Sequence, residues 1–206
     1  MTITSLKTEK ESDLRRIEFS DGSLFSFRIC YLPKEAVSGE IEEGCEITSA
    51  QEEGFRFASA CLRAEKSALL LIARAEQCTL GLSSKLKRKK HESSCINAVI
   101  ERLTGLNLIN DERYASLWID SRLRLSRSPR RLLTSLCGRG IDRDDAQSAL
   151  NAALTEEAEY SMLLRYVKKY PLKARQKGDD EAKSLKYVLK SEGFSMQAIS
   201  RFFNEE

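Results

Sequence analysis

One pattern runs through this chain three times. Leu82, Leu132 and Leu185 open equivalent stretches, in which Leu86 falls with Leu136 and Leu189, and Ile96 with Ala146 and Ile199. Ile100 falls with Leu150 and Phe203, and between them Lys90-His91 aligns with Gly140-Ile141 and Gly193-Phe194. Offsets of about 50 and then about 53 residues lie within or just beyond the range of stacked helical units. Such a unit cannot bury its apolar stripe alone, so a neighbour supplies the partner surface and an open flank is left for binding. The expected architecture is therefore mainly α. Tandem three-helix repeats would stack into an elongated curved solenoid.

Helix boundaries within the repeats are written in capping residues. Asn110 precedes Asp111 and Glu112, and Thr155 precedes Glu156 and Glu157. Each is a side-chain cap followed by carboxylates where the helix dipole favours them. Tyr114, Leu117, Trp118, Ser121 and Leu125 recur at helical spacing as an apolar face, as do Met162, Leu163, Tyr166 and Val167. Ser128-Pro129 reads as a cap with proline at the first helical position. Gly140 and Gly193 read as left-handed residues closing second helices, with Ile141 and Phe194 as the apolar residues after them. Asp142 and Ser195 then cap the third helices.

The N-terminal segment is different in kind. Leu14 to Ser20 leads into Asp21-Gly22 and then Ser23 to Tyr31, with Phe25, Phe27 and Ile29 alternating against Leu24, Ser26 and Arg28. Asp-Gly favours a two-residue type I′ turn, so a β-hairpin over residues 14–32 is expected, with Pro33 ending its second strand. Gly39 to Gly44 forms an acidic connector, and helix resumes near Thr48 or Ser49 toward Gln77. The expected division is residues 1–48 as hairpin module and connector, 49–104 as the first repeat with a lead-in helix, 105–154 as the second and 155–206 as the third.

Composition narrows the function classes. Charged residues make up 32% of the chain and there are three prolines, a helix-rich and soluble balance. No apolar run nears the roughly 18 residues of a spanning helix, and Met1 to Lys10 lacks a signal-peptide core. The six cysteines never form a CxxC spacing and are expected as reduced thiols in a cytoplasmic protein. The single histidine, His91, stands at the repeat position of Ile141 and Phe194, so it is expected to pack at a helix junction. No phosphate-binding loop, dinucleotide fingerprint or metal spacing occurs. Asp111-Glu112 and Asp142 to Asp145 read as capped helix starts rather than catalytic carboxylates. A non-enzyme without cofactor or metal is expected.

Charge is what remains. Residues 1–60 hold 7 basic and 12 acidic groups, whereas residues 81–143 hold 14 basic and 6 acidic. Lys85, Lys87, Arg88, Lys89 and Lys90 crowd the second helix of the first repeat, and Arg122, Arg124, Arg127, Arg130, Arg131 and Arg139 the first two helices of the second. A solvated helix face is one reading of such runs. The other is a surface for a polyanion or an acidic protein, since arginine pairs phosphate or carboxylate bidentately. Three tandem copies suit a solenoid better than helix-turn-helix readers of a major groove.

The stretch Gly105 to Ala115 (GLNLINDERYA), with Trp118 and Arg122, then Ser128-Pro-Arg-Arg-Leu132 and Leu136 to Ile141, resembles the RecX family of bacterial recombination regulators. Leu82 to Leu103 and Leu185 to Phe203 resemble the flanking family repeats, so the likeness covers roughly residues 66–204. Two departures stand out. Lys90-His91 replaces a glycine–apolar junction, which leaves that turn altered or strained, and Ser128 replaces a frequent glycine. The resemblance implies a non-enzymatic modulator that binds the RecA–DNA filament and damps ATP hydrolysis and strand exchange. Its partners would be the RecA filament and single-stranded DNA, directly or through RecA, with no membrane, and it would act as a monomer. The expected contacts are Lys85, Lys87, Arg88, Lys89, Arg122, Arg124, Arg127, Arg130, Arg131 and Arg139. Trp118 and Tyr114 are expected to hold the repeat together. Reversing charge at Arg130 and Arg131 is expected to weaken filament binding while leaving helicity intact. Two other classes remain open: a stand-alone nucleic-acid binder, and a helical scaffold for another acidic protein.

Overall fold

A bulge decides the N-terminal architecture. The computed structural model describes residues 2–8, 13–37, 41–125, 127–170 and 179–205. Strand β1 (Ile3–Thr8) pairs antiparallel with β2 (Leu14–Phe19), which pairs with β3 (Leu24–Arg28). The expected hairpin is thus two strands of a three-stranded sheet ordered β1-β2-β3. The register shifts between Ile3 and Ser5. An extra residue there lets Ile3 and Leu6, three apart in sequence, both reach the core, which ordinary alternation forbids.

The Asp21-Gly22 turn also differs from expectation. The Phe19 N–H donates to Ser23 O at 3.0 Å and the Gly22 N–H to Phe19 O at 2.9 Å. Within this three-residue loop only Gly22 has positive φ, at 80°. A turn closed by one left-handed glycine is the next most common hairpin solution. Asp21 serves it by accepting the Ser23 N–H at 3.0 Å. The second strand ends at Arg28, before a 3-10 turn over Ile29–Tyr31 and the short helix α1 (Lys34–Val37).

Helix α2 (Ser49–Ile72) starts at a reciprocal cap, with Thr48 Oγ1 accepting the Gln51 N–H at 3.2 Å and Gln51 Oε1 accepting the Thr48 N–H at 2.9 Å. It runs unbroken for 24 residues and carries Phe55 into the sheet, where its ring stacks 5.2 Å from Phe27. Helices α3 (Thr79–Arg88) and α4 (Ser93–Gly105) pack Leu82, Leu86, Ile96 and Val99 into the same core. Asp13 and Glu65 bind Arg28 and Arg102 beside it, joining strand β3 and helices α2 and α4 through a shared ionic cluster.

The chain divides into two compact units, Met1–Ile109 and Asn110–Glu206. Among the described residues of the second unit, the regular elements are all helices. Helices α5 (Asp111–Asp120), α6 (Pro129–Cys137) and α7 (Arg143–Ala153) precede α8 (Glu156–Lys169), α9 (Asp179–Ser191) and α10 (Met196–Glu205). Asn110, Ser128, Asp142 and Thr155 cap their helices through side-chain oxygens. Ser195 does so through Oγ, which accepts the Ala198 N–H at 3.1 Å.

Second helices end alike in both units. His91, Ile141 and Phe194 donate their N–H groups to Leu86 O, Leu136 O and Leu189 O, at 3.3, 3.3 and 3.2 Å. The residues before them, Lys90, Gly140 and Gly193, have φ of 63°, 82° and 90°. This is the Schellman closure, and the junction without glycine keeps it by forcing lysine left-handed. His91 packs at that junction with Nε2 3.1 Å from Ser67 Oγ.

Helix α5 is shorter than its apolar pattern suggests. It stops at Asp120, and its buried stripe is Ala115, Trp118 and Ile119, with Leu117 and Leu125 about half exposed. Arg122 and Arg124 therefore lie beyond its end, not on it. All six cysteines are free thiols.

Candidate anion-binding cleft

The start of α6 gathers charge because its cap is tied to another helix turn. Ser128 is fully buried, and its Oγ both accepts the Arg131 N–H and donates to the Glu192 carboxylate. The Arg130 N–H donates to Glu192 O at 2.9 Å, so the first turn of α6 lies against the turn between α9 and α10. Gly193 permits this approach, since a Cβ there would stand 3.3 Å from Arg130 N. Arg127, Arg130 and Arg131 consequently project beside the C-terminal end of α8, which brings Lys169 and Tyr170.

These residues line a cleft of about 690 Å³ with Thr134, Ser135 and Glu192. Four cations face one carboxylate. The Arg131 Nε lies 3.8 Å from Glu192, and the Arg130 Nη1 donates to Ser191 O at 3.2 Å. The Arg131 guanidinium covers the Tyr170 ring, while the Lys169 ammonium lies 5.8 Å from the same ring centroid. Burial, then the nearby Glu192 charge, holds the neighbouring Tyr166 hydroxyl above its usual value. Guanidinium forks, hydroxyls and an aromatic face fit an oxyanion attached to a planar or apolar group.

The other expected contacts fall into separate groups. Arg122 and Arg139 meet on Trp118, their guanidinium carbons 5.3 and 4.9 Å from its ring. Trp118 is buried as expected, yet it also gathers two cations. Arg124 is exposed beyond α5. In the first unit Lys87, Arg88 and Lys89 are exposed at the end of α3, where the helix dipole favours cations. Lys85 instead donates to Gln77 Oε1 at 2.5 Å. Sequence reasoning missed Lys169, Tyr170 and Glu192. The run Lys168-Lys169-Tyr170 closing a helix was the available sign for two of them; the role of Glu192 depends on a contact 64 residues away in sequence.

The contacts of Arg131 also bear on the charge-reversal expectation. A carboxylate at residue 131 would face Glu192, so the substitution would disturb packing as well as surface charge. Among the described residues no cluster of three histidine, cysteine, aspartate or glutamate side chains could hold a metal ion. No described helix is long and apolar enough to cross a membrane.

Known proteins share both the sequence and the fold. The second three-helix domain of RecX matches residues 110–150, the segment carrying most of the cleft's α6 wall. A regulatory protein RecX of Treponema pallidum (strain Nichols) is 30% identical over 159 residues, covering 77% of this chain and 94% of that protein. One from Clostridium perfringens is 26% identical over 217 residues, covering 99% and 97%. A crystal structure of regulatory protein RecX superposes with a TM-score of 0.70 at 18% identity, covering 100% of this chain and 99% of that one. RecX from Lactobacillus salivarius gives 0.56 at 21% identity over 72% and 97%. With relatives matched over most of both lengths and the family's own three-helix domain at the cleft, the chain belongs to the RecX family.

Proposed function

We propose that this protein binds the RecA–DNA filament and restrains RecA ATP hydrolysis and strand exchange, acting in recombination and DNA repair in the cytoplasm, as a monomer and without catalysis of its own. The observation that carries the reading is the α6–α8 cleft, where four cations converge beside a single carboxylate in a member of a family of regulatory proteins. A filament offers acidic protein and DNA phosphates together, and arginine forks pair with either. The three-helix groups at 49–104, 105–154 and 155–206 are taken as its recurring units, following the hairpin-bearing segment 1–48.

The deciding experiment titrates this protein into RecA on single-stranded DNA while following ATP hydrolysis. A fall at substoichiometric amounts supports filament binding. Unchanged hydrolysis, with binding to bare DNA intact, overturns it. The half-buried Tyr170 in the cleft favours one second reading, direct binding of single strands by stacking on an aromatic face. That reading expects tighter binding to bare strands than to RecA-coated ones.

A further inference from the structure

The first sixty residues are net acidic, yet their fold collects cations at one place. Register sets Lys7 of β1 directly opposite Arg16 of β2, and Arg16 opposite Ser26 of β3. Like charges directly across an antiparallel pair disfavour the sheet. The next pair along places Arg15 beside Thr8. Lys7, Arg15 and Arg16, with Lys66 and Leu62 of α2, line a cleft of about 550 Å³ whose remaining walls are Leu14 and Ser26. Lys7, Arg16 and Lys66 are exposed.

No carboxylate is among the described residues that line this cleft. Asp13 and Glu65, which precede Leu14 and Lys66 in sequence, are both engaged by Arg28 and Arg102. Glu43 turns to the strand edge and accepts the Leu6 N–H at 2.8 Å. Asp13, Glu65 and Glu43 are thus engaged away from the cleft, and the fold keeps Lys7 and Arg16 as a repelling pair across its sheet.

We infer that this cleft binds the phosphodiester backbone of a nucleic acid. The Arg16 fork matches a tetrahedral oxyanion bidentately, and Lys7 and Lys66 add point charges for a neighbouring phosphate. The Ser26 hydroxyl supplies a further donor, and the half-buried Leu14 gives the sugar an apolar contact. All of it lies in the unit Met1–Ile109, whereas the α6–α8 cleft lies in Asn110–Glu206, so the two are distinct sites.

The test uses the full chain without RecA. Anisotropy of a fluorescein-labelled single-stranded oligothymidylate is followed across a sodium chloride series for wild type and for R16Q/K66Q. Both substitutions fall on exposed side chains, circular dichroism verifies the fold, and K7Q provides a second, single-site variant. Two lost phosphate contacts should reduce the slope of log K against log salt by about 1.4 and weaken binding by on the order of tenfold. An unchanged slope in both variants overturns the inference. So does displacement of the oligonucleotide by polyglutamate at equal charge, which would mark an acidic-protein site, or by millimolar inorganic phosphate, which would mark a small-anion site. Wild type that fails to bind the oligonucleotide, while still slowing RecA hydrolysis, overturns this inference and leaves the filament reading intact.

Discussion

The Arg131 guanidinium carbon lies 5.2 Å from the centre of the Tyr170 ring, and its Nη1 donates to the Tyr170 hydroxyl at 3.1 Å. With Glu192 3.8 Å from its Nε, Arg131 is held on both sides and braces the cleft wall. Arg127 and Lys169 carry the charge that a partner can take up at less structural cost. The double substitution R127A/K169A should weaken binding to RecA-coated single strands and shallow its salt dependence. Stability should stay within about 0.5 kcal/mol, as for surface changes generally. R131A should lower both binding and melting temperature. Parallel thermal melts and filament-binding titrations separate the two cases. Equal destabilisation by both variants would remove the distinction.

A lysine in a left-handed turn should be improvable. Lys90 holds φ 63° where the equivalent junctions use Gly140 and Gly193. Left-handed backbone costs a residue with Cβ roughly 1–2 kcal/mol, partly offset by the greater entropy glycine loses on folding. Lys90→Gly should therefore stabilise by about 0.5–1 kcal/mol, and Gly193→Ala should destabilise by at least about 1 kcal/mol. The alanine also meets Arg130 N at 3.3 Å, so its cost includes crowding. Chemical denaturation of the two variants reads both signs directly.

Those junctions explain why so much of the helical fold could be read in advance. Caps and closures act within five residues, so Asn110, Ser128, Asp142, Thr155, Gly140 and Gly193 each announce a boundary that the structure keeps. Strand β1 was illegible because its bulge breaks the alternation that identifies strands. The face of α5 was misjudged because alanine at 115 is buried while the larger Leu117 is exposed. For the cleft, local reading supplied Arg127, Arg130 and Arg131. It could not supply Lys169 and Tyr170, which reach the site only through packing between helices far apart in sequence.

His91 gives the first unit a pH response with an unambiguous source, because the chain has no other histidine. Burial, followed by the charges of Lys89 and Arg63, lowers its pKa below the ordinary 6.5. The unfolded chain therefore binds the proton more readily than the folded one. Stability should be unaffected by this group above about pH 6.5 and should fall as pH drops through that value toward the folded-state pKa. His91→Ile, copying the residue at the equivalent position 141, should remove that slope. Melting temperatures of both proteins from pH 8 to pH 5 make the comparison, and parallel curves would assign the response to other groups.

The ionic cluster of the first unit should set its acid limit. Glu65, with a side chain only 3% exposed, accepts from Arg28 Nε at 2.7 Å and faces Arg102 Nε at 3.7 Å. Removing that charge leaves two guanidiniums near each other with no buried counterion, so Glu65→Gln should cost about 3–5 kcal/mol. Asp13 sits at the outer side of the cluster. Burial pushes its carboxyl upward, but hydrogen bonds from Arg28 and Cys30 and the charges of Arg28 and Arg102 outweigh this and hold it below the ordinary 3.8. A depressed carboxylate contributes stability that is fully present above its unfolded value and is lost as pH falls through the folded one. Asp13→Asn should therefore be less stable than wild type at neutral pH, and the gap should close as the medium is acidified below about pH 4. Circular dichroism melts across that range test the sign: a gap that stays constant to low pH would mean that Asp13 acts through packing rather than charge.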